Sequence, residues 1–317
     1  MCTAISDSGR FHLFGRTLDV ECSFGEEVVI TPRNFRFDFL YEPPIRTHFA
    51  INGIACVRDN YPLYYDAVNE AGLAVAGLNF PTNAVYREPV KDKYNIASFE
   101  FIPWLLSKAE STDEAVKLLQ STNVTHDSYS GDMPATPLHW IISDSRRTVT
   151  AETVDSGFEI YENPFGVLTN NPPFPYHLSR LADFMGIDSM PPKNTLCPTA
   201  ELVGYSGGMG AIGLPGDFSS SSRFVRAVFL KSHTVHEGSE SEQINRFFHI
   251  MDSVSVPCGC SKNENGKNNF TLYTSCINTA TGDYYFTTYG NRSIKAVRLC
   301  AQETDSARLL TFPIYTV

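Results

Sequence analysis

The chain has 317 residues, 42% hydrophobic and 19% charged, a balance that suits a globular protein with a substantial core. A formal net charge of −10 argues against nucleic acid as a partner, because phosphate binding needs basic patches, and it leaves an anionic substrate dependent on local arginines. No stretch approaches the roughly 18 apolar residues of a membrane span, and Met1-Cys2-Thr3-Ala4-Ile5-Ser6-Asp7 lacks the basic-then-apolar pattern of a secretory signal.

Cys2 heads a short first strand. The apolar-rich run His12-Leu13-Phe14-Gly15-Arg16-Thr17-Leu18 makes a second, and the β-branched residues 27–31 a third. Residues 64–69 and 73–80 flank the turn-like Glu70-Ala71-Gly72 and predict a hairpin. Two helices follow. The first spans 99–109, with Pro103 in its first turn or kinking it. The second opens on the capping-box pattern Ser111-Thr112-Asp113-Glu114 and sets Ala115, Val116, Leu118 and Leu119 on one stripe. Strands resume at 138–142, 148–154 and 158–161. The stretch 186–222 is rich in Gly, Pro and Ser but interrupted by apolar residues. It reads as long loops and not as a linker, so 1–317 is expected to be one domain. Residues 224–230 and 242–254 read as helices, and 270–277 with 284–288 as a closing hairpin around Thr281-Gly282-Asp283. Strand blocks separated by helix pairs lack βα alternation. They predict an α+β fold of two antiparallel sheets packed together, with helices over the outer faces.

Among chemical groups, Cys2 comes first. A cysteine behind the initiator methionine is small enough for Met1 to be trimmed, which leaves one residue bearing both a thiol and an α-amine. That amine titrates near pH ~7.7 to 8 and can take the thiol proton directly or through one water. The bland reading is a simple early-strand cysteine. The next strand carries Gly15-Arg16-x-x-Asp19, which hairpin geometry returns to the N-terminus. A carboxylate there would orient the amine, and an arginine would favour the thiolate. By themselves Arg16 and Asp19 also read as a solvated pair.

Other motifs carry less. Gly204-Tyr205-Ser206-Gly207-Gly208 matches the G-x-S-x-G nucleophile elbow, but the Gly-rich segment 209–216 does not predict the helix that motif needs. Cys258 and Cys260 with His249 lack a second ligand pair for zinc. His233 and His236 read as solvated, as does the acidic run Glu237, Glu240 and Glu242, and Trp104 and Trp140 as core. The eight cysteines (Cys2, Cys22, Cys56, Cys197, Cys258, Cys260, Cys276, Cys300) are scattered and expected as reduced thiols. The N-x-S/T sites at Asn123, Asn269 and Asn291 then read as chance matches, and the protein as cytoplasmic.

Five ordered blocks show a resemblance: Met1-Cys2-Thr3; Phe14-Gly15-Arg16-x-x-Asp19; Ala76-Gly77-Leu78-Asn79-Phe80-Pro81; Gly166-Val167-Leu168-Thr169-Asn170-Asn171-Pro172; and Gly213-Leu214-Pro215-Gly216-Asp217 with Ser222-Arg223-Phe224. They resemble the signature blocks of the choloylglycine hydrolase family, in order and at nearly its spacing. The likeness extends to Tyr61-Pro62, Phe101-Ile102-Pro103-Trp104, Leu138-His139-Trp140 and Phe247-Phe248-His249, so it covers essentially the whole chain. It implies an N-terminal-nucleophile amidase with an αββα four-layer sandwich, two antiparallel sheets between helix layers. It further implies a homotetramer without a metal or organic cofactor.

The resemblance makes Cys2 the nucleophile and its α-amine the base. Arg16 and Asp19 become electrostatic neighbours, Asn79 and Asn170 oxyanion-side and positioning residues, and Arg223 the cation near sulfur. Asn170 is chosen over Asn171 as the residue straight after Thr169, and Arg223 over Arg226 by the Ser-Arg-Phe block. Bile salt hydrolases of the family tend to carry Asn in the block Gly77-Leu78-Asn79-Phe80-Pro81, where penicillin V relatives often carry Tyr. The implied substrates are therefore glycine- or taurine-conjugated bile acids. The loop aromatics Phe24, Phe80, Phe174 and Tyr176 are candidates for the wall of a steroid pocket and equally for core. Three rivals stay open: a penicillin V or acyl-homoserine lactone acylase, a non-catalytic steroid- or amide-binding protein, and the Ser206 hydrolase.

Overall fold

In the computed structural model, which describes residues 1–315, strand β1 (Cys2–Ser8) turns straight back into β2 (His12–Val20), with Cys2 opposite Leu18. This hairpin sits inside a six-stranded antiparallel sheet. Its other members are β12 (Val167–Leu168), β13 (Phe270–Asn278), β14 (Asp283–Thr288) and β15 (Lys295–Val297), in the order β12-β1-β2-β13-β14-β15. The second sheet has eight antiparallel strands: β3 (Glu26–Thr31), β4 (Ile51–Arg58), β5 (Tyr61–Asn69), β6 (Ala74–Asn79), β9 (Leu138–Ser143), β10 (Thr148–Val154), β11 (Gly157–Glu162) and β16 (Leu310–Pro313). They run in the order β11-β10-β9-β6-β5-β4-β3-β16. A short parallel pair, β7 (Tyr94–Ala97) and β8 (Thr122–Thr125), stands apart.

The alternation of side chains along each strand divides the core in two. Val28 and Ile30 of β3, with Ala74, Ala76 and Leu78 of β6, join Ile5 and Phe14 in the first cluster, which runs between the sheets and out to Phe224, Phe247 and Met251. Val29 and Val75, one residue out of phase, join Phe101, Trp104 and Trp140 in the second. Helices α1 (Phe101–Lys108) and α2 (Thr112–Leu119) cover the outer face of the larger sheet against β5, β6 and β9. Helices α4 (Ser220–His233) and α5 (Glu240–Asp252) cover the outer face of the smaller one against β1, β2, β12 and β13, with α3 (Phe174–Leu181) beside α4. The result is an α+β helix–sheet–sheet–helix sandwich. Because both faces of β1 and β2 are covered, their side chains are buried almost without alternation.

Gly15 is where that packing is tightest. A Cβ there would lie 2.1 Å from the Ser275 carbonyl oxygen, so only glycine lets β2 pair with β13 at this point. Pro103 sits in the first turn of α1, where its missing N–H costs nothing. Helix α4 starts earlier than apolar periodicity suggests, because Ser219 caps it by accepting from Ser222 N. Helix α5 starts at Glu240 for a similar reason: Ser239 and Glu242 form a reciprocal capping box. Helix α3 and strands β4, β7, β8, β12, β15 and β16 have no counterpart in the sequence expectations.

Candidate active site

Cys2 is 2% exposed at the head of β1, and its neighbours are drawn from both sheets and from α4. Strand β2 returns Arg16 beside it, and Arg16 Nη2 donates to Cys2 Sγ at 2.6 Å. The same guanidinium is fixed by the carbonyls of Tyr65 (3.1 Å) and Gly77 (2.6 Å) through Nη1 and by Thr17 O (3.2 Å) through Nε. Burial alone would lower Arg16. Cys2, Tyr273, Asp66 and Asp19 outweigh it, and the guanidinium is held above its ordinary value, so it is a permanent charge beside the sulfur.

Arg223 of α4 is also fully buried. Its Nη1 donates to Cys2 O and to Thr3 Oγ1 (2.7 Å), and its Nη2 to Asn170 Oδ1 (2.8 Å). Burial lowers Arg223, against the opposing pull of Asp19 and Cys2. Arg226, one turn on, points elsewhere, to the carbonyls of Ser253, Pro215 and Asp217.

Asn170 ties the site together. Its Oδ1 accepts from Cys2 N at 2.8 Å as well as from Arg223, and its Nδ2 donates to Asn79 O at 2.7 Å. Its own backbone is held by Ser220 Oγ (2.8 Å) and by His177 Nε2 (3.0 Å). Burial pushes His177 down to about 4, so the ring is neutral near pH 7. Asn171 donates to Pro81 O and Thr82 Oγ1 instead. Asn79 ends β6 with its side chain exposed, and only its carbonyl joins the cluster. The Asp19 carboxylate accepts from Thr271 Oγ1 (2.6 Å) and Thr17 Oγ1 (3.2 Å). Its backbone, not its carboxylate, grips the terminal residue: Met1 N donates to Asp19 O (2.7 Å) and Asp19 N to Met1 O (3.0 Å).

The structure thus gathers Cys2, Arg16, Asp19, Asn79, Asn170 and Arg223 at one point. The four aromatics scatter. Phe80 is buried and stacked on His139 with centroids 4.2 Å apart, and Phe174 is buried against Phe224 and Tyr161. Phe24 is exposed, its carbonyl bonded by Cys56 and Arg58, and Tyr176 is exposed on α3. The cavity beside Tyr65 and Gly77, whose carbonyls hold Arg16, is walled instead by Leu63, Phe99, Tyr129, Met133 and Leu138. These come from β5, β9 and two connecting segments. No local pattern unites them. Thr271 is equally invisible in the sequence, since it lies 252 positions from the Asp19 it holds.

Ser206 lies in an irregular exposed stretch followed only by the short turn Met209–Ala211, without the strand and helix an elbow requires. Cys258, Cys260 and His249 are exposed, and among the described residues no group of three His, Cys, Asp or Glu side chains could hold a metal ion. His236 is not simply solvated: it packs 3.8 Å from the buried Asp7.

The helix–sheet–sheet–helix fold is that of the N-terminal-nucleophile hydrolases. A model of the linear amide C–N hydrolases, choloylglycine hydrolase family, matches residues 2–312. The bile salt hydrolase/transferase of Lactiplantibacillus plantarum is 42% identical over 314 residues, covering 99% of this chain and 97% of the relative. That of Clostridium perfringens is 33% identical, covering 98% and 96%. The crystal structure of the C2A variant of conjugated bile acid hydrolase from Clostridium perfringens matches with a TM-score of 0.91 at 32% identity, over 98% of this chain and 96% of that one. Penicillin V acylase from Agrobacterium tumefaciens shares the fold, with a TM-score of 0.79 at 20% identity over 98% and 91%. The chain belongs to the choloylglycine hydrolase family and is an enzyme acting on amide C–N bonds.

Proposed function

We propose that this enzyme hydrolyses the amide bond of glycine- or taurine-conjugated bile salts, with Cys2 as nucleophile once Met1 has been removed. The observation that carries the mechanism is the pairing of Arg16 Nη2 with Cys2 Sγ (2.6 Å) and of Asn170 Oδ1 with Cys2 N (2.8 Å). One residue has its sulfur beside a cation and its α-nitrogen beside an acceptor. The substrate class rests on the relatives' names, on Asn79 at the end of β6, and on the apolar cavity beside Arg16.

In this reading the Cys2 thiolate attacks the amide carbonyl, forming a C–S bond. The charge that develops on oxygen is met by donors around Asn79 and Asn170, each such donor contributing ~2.7 to 4 kcal/mol. The C–N bond breaks as the protonated α-amine of Cys2 gives its proton to the leaving glycine or taurine. Water then attacks the thioester, losing its proton to the same amine, and the bile acid departs with Cys2 restored. An amino acid attacking in place of water would make a new conjugate. Asp19 and Arg223 fix the terminal residue, and Phe24 and the walls of the cavity are assigned to the steroid. The protein is further proposed to act as a cytoplasmic homotetramer with one domain per chain, without metal or cofactor. No helix among the described residues is long and apolar enough to cross a membrane.

The test is turnover. Wild type and Cys2→Ala are incubated separately with glycocholate, taurocholate and penicillin V. The reading expects free cholate from wild type and none above background from the variant. Cleavage of penicillin V without release of cholate would move the enzyme to the acylase branch. Loss of neither activity in Cys2→Ala would end the nucleophile assignment.

A further inference from the structure

One buried carboxylate close to the site takes no part in the scheme above. Asp66 of β5 is fully buried between the sheets. It accepts from Tyr273 Oη (2.8 Å), Ser275 Oγ (2.9 Å) and Tyr284 Oη (2.5 Å), all donors from β13 and β14 of the opposite sheet. Two hydrogen-bonded routes link this cluster to Arg16. Ser275 Oγ also accepts from the Arg16 backbone N at 3.0 Å. Tyr65, the residue before Asp66, supplies a carbonyl to the Arg16 guanidinium. The carboxylate therefore anchors Arg16 at its backbone through Ser275 and at its guanidinium through β5.

Charge gives the cluster a second effect. The titratable groups around the guanidinium are Cys2 from β1, Asp19 from β2, Tyr65 and Asp66 from β5, Tyr273 from β13 and Tyr284 from β14; β6 contributes the Gly77 carbonyl, and Arg223 of α4 lies on the carbonyl side of Cys2. Arg16 thus has a sulfur on one side and acidic groups elsewhere around it. An uncompensated guanidinium would make the thiolate form at lower pH and make it a weaker nucleophile, because intrinsic nucleophilicity falls with basicity. Burial raises Asp66, and Arg16 with the Tyr284, Tyr273 and Ser275 hydroxyls pulls it back toward the ionised form.

We propose that Asp66 is a positioning residue for the reaction: it holds Arg16 against Cys2 and offsets part of the guanidinium's field, setting the pH at which the thiolate forms. This rests on the reading of Cys2 as nucleophile. Neither Asp66 nor its three hydroxyl donors touches the sulfur, so the effect runs through Arg16.

The experiment uses the full chain as wild type, Asp66→Asn, Tyr284→Phe and a Cys2→Ser blank. It records the pH profile of kcat/KM on glycocholate and, separately, the ultraviolet thiolate absorbance against pH. Removing a negative charge stabilises a nearby anion. Asp66→Asn should therefore move the acidic limb and the thiolate titration down together by about 0.5 to 1 pH unit. The plateau kcat should fall roughly three-fold from lost nucleophilicity, with KM nearly unchanged. Tyr284→Phe takes away one donor that keeps the carboxyl ionised, so it should shift both curves the same way by less, and it serves if Asp66→Asn does not fold. A fall in activity by the same factor at every pH, with the acidic limb and the thiolate titration unmoved, would make the cluster purely structural and overturn the proposal. Retention of activity by Cys2→Ser would instead sink the nucleophile assignment. The thiolate titration would still report what Asp66 does to Cys2.

Discussion

At one end of the β1–β2 hairpin, Cys2, Arg16 and Asp19 meet Asn170 and Arg223; at the other, Ser6, Asp7 and His12 meet Ser143, Thr279 and Arg246. Both ends are buried and polar, and the second even holds a serine–histidine pair, with Ser6 Oγ 2.9 Å from His12 Nε2. The difference lies in what the groups are bonded to. His12 Nδ1 is occupied by Thr279 Oγ1 (2.8 Å), and Ser6 Oγ is shared with Ser143 (2.8 Å) and Thr148 (3.1 Å). Burial lowers His12 to about 4, so it is neutral at working pH, and no carboxylate orients it. Asp7 is neutralised by Arg246 at 2.8 Å. That network keeps its bonds within itself, although Asp7 Oδ1 is left without a hydrogen-bond partner among the described residues. At the Cys2 end two buried guanidiniums converge on one residue, one on its sulfur and one on its carbonyl, so charge is aimed at an atom able to react. A buried polar cluster alone does not mark an active site; charge directed at a nucleophile does.

The contrast can be broken most severely at the sulfur. Cys2→Ser is expected to cut kcat by about 10⁴-fold or more while leaving thermal unfolding close to wild type. Asn170→Ala comes next. It takes the acceptor from Cys2 N and a partner from Arg223, so kcat should fall about 10² to 10³-fold, measured on protein whose circular dichroism matches wild type. At the far end the loss should be in stability instead. Asp7→Asn removes the charge facing Arg246 and should cost ~1 to 3 kcal/mol in urea unfolding, with kcat per folded molecule unchanged.

A smaller effect separates the ends by pH. His12 is held near 4 in the fold against 6.5 unfolded. The unfolded chain therefore binds more protons between those values. The stability that neutral His12 contributes is complete above about pH 6.5 and is lost as pH falls toward 4. The melting-temperature gap between wild type and His12→Asn should accordingly narrow on acidification. Glu100, pushed by burial up to about 7, acts with the opposite sign but is common to both proteins and cancels in the gap. A gap that widened toward pH 4.5 would contradict the neutral assignment. The smallest expected effect is that of Ser206→Ala, whose turnover should equal wild type.

Much of the catalytic end was legible because it is local. Cys2, Arg16 and Asp19 lie on two strands joined by a three-residue turn, so spacing alone returns them to one place. The alternation of strand and helix blocks was readable from periodicity and from the Ser111 cap, but six shorter or less patterned strands and α3 were not. The reading of α5 began two residues late because Ser239, its true cap, precedes the apolar stripe. The pocket was not legible. Its walls come from separated segments, and loop aromatics such as Phe80 turned inward onto His139, since burying a ring beside another ring outweighs leaving it at a pocket's rim. Asp66 was hidden for the same reason: its three hydroxyl donors are more than 200 positions away.

The most direct test of the central claim is the intact mass of the purified enzyme before and during turnover of glycocholate, with peptide mapping of any adduct. The account predicts a chain lighter by one methionine residue and a transient cholyl thioester on Cys2. Full turnover by a chain that still carries Met1, or an adduct on any other residue, would contradict it.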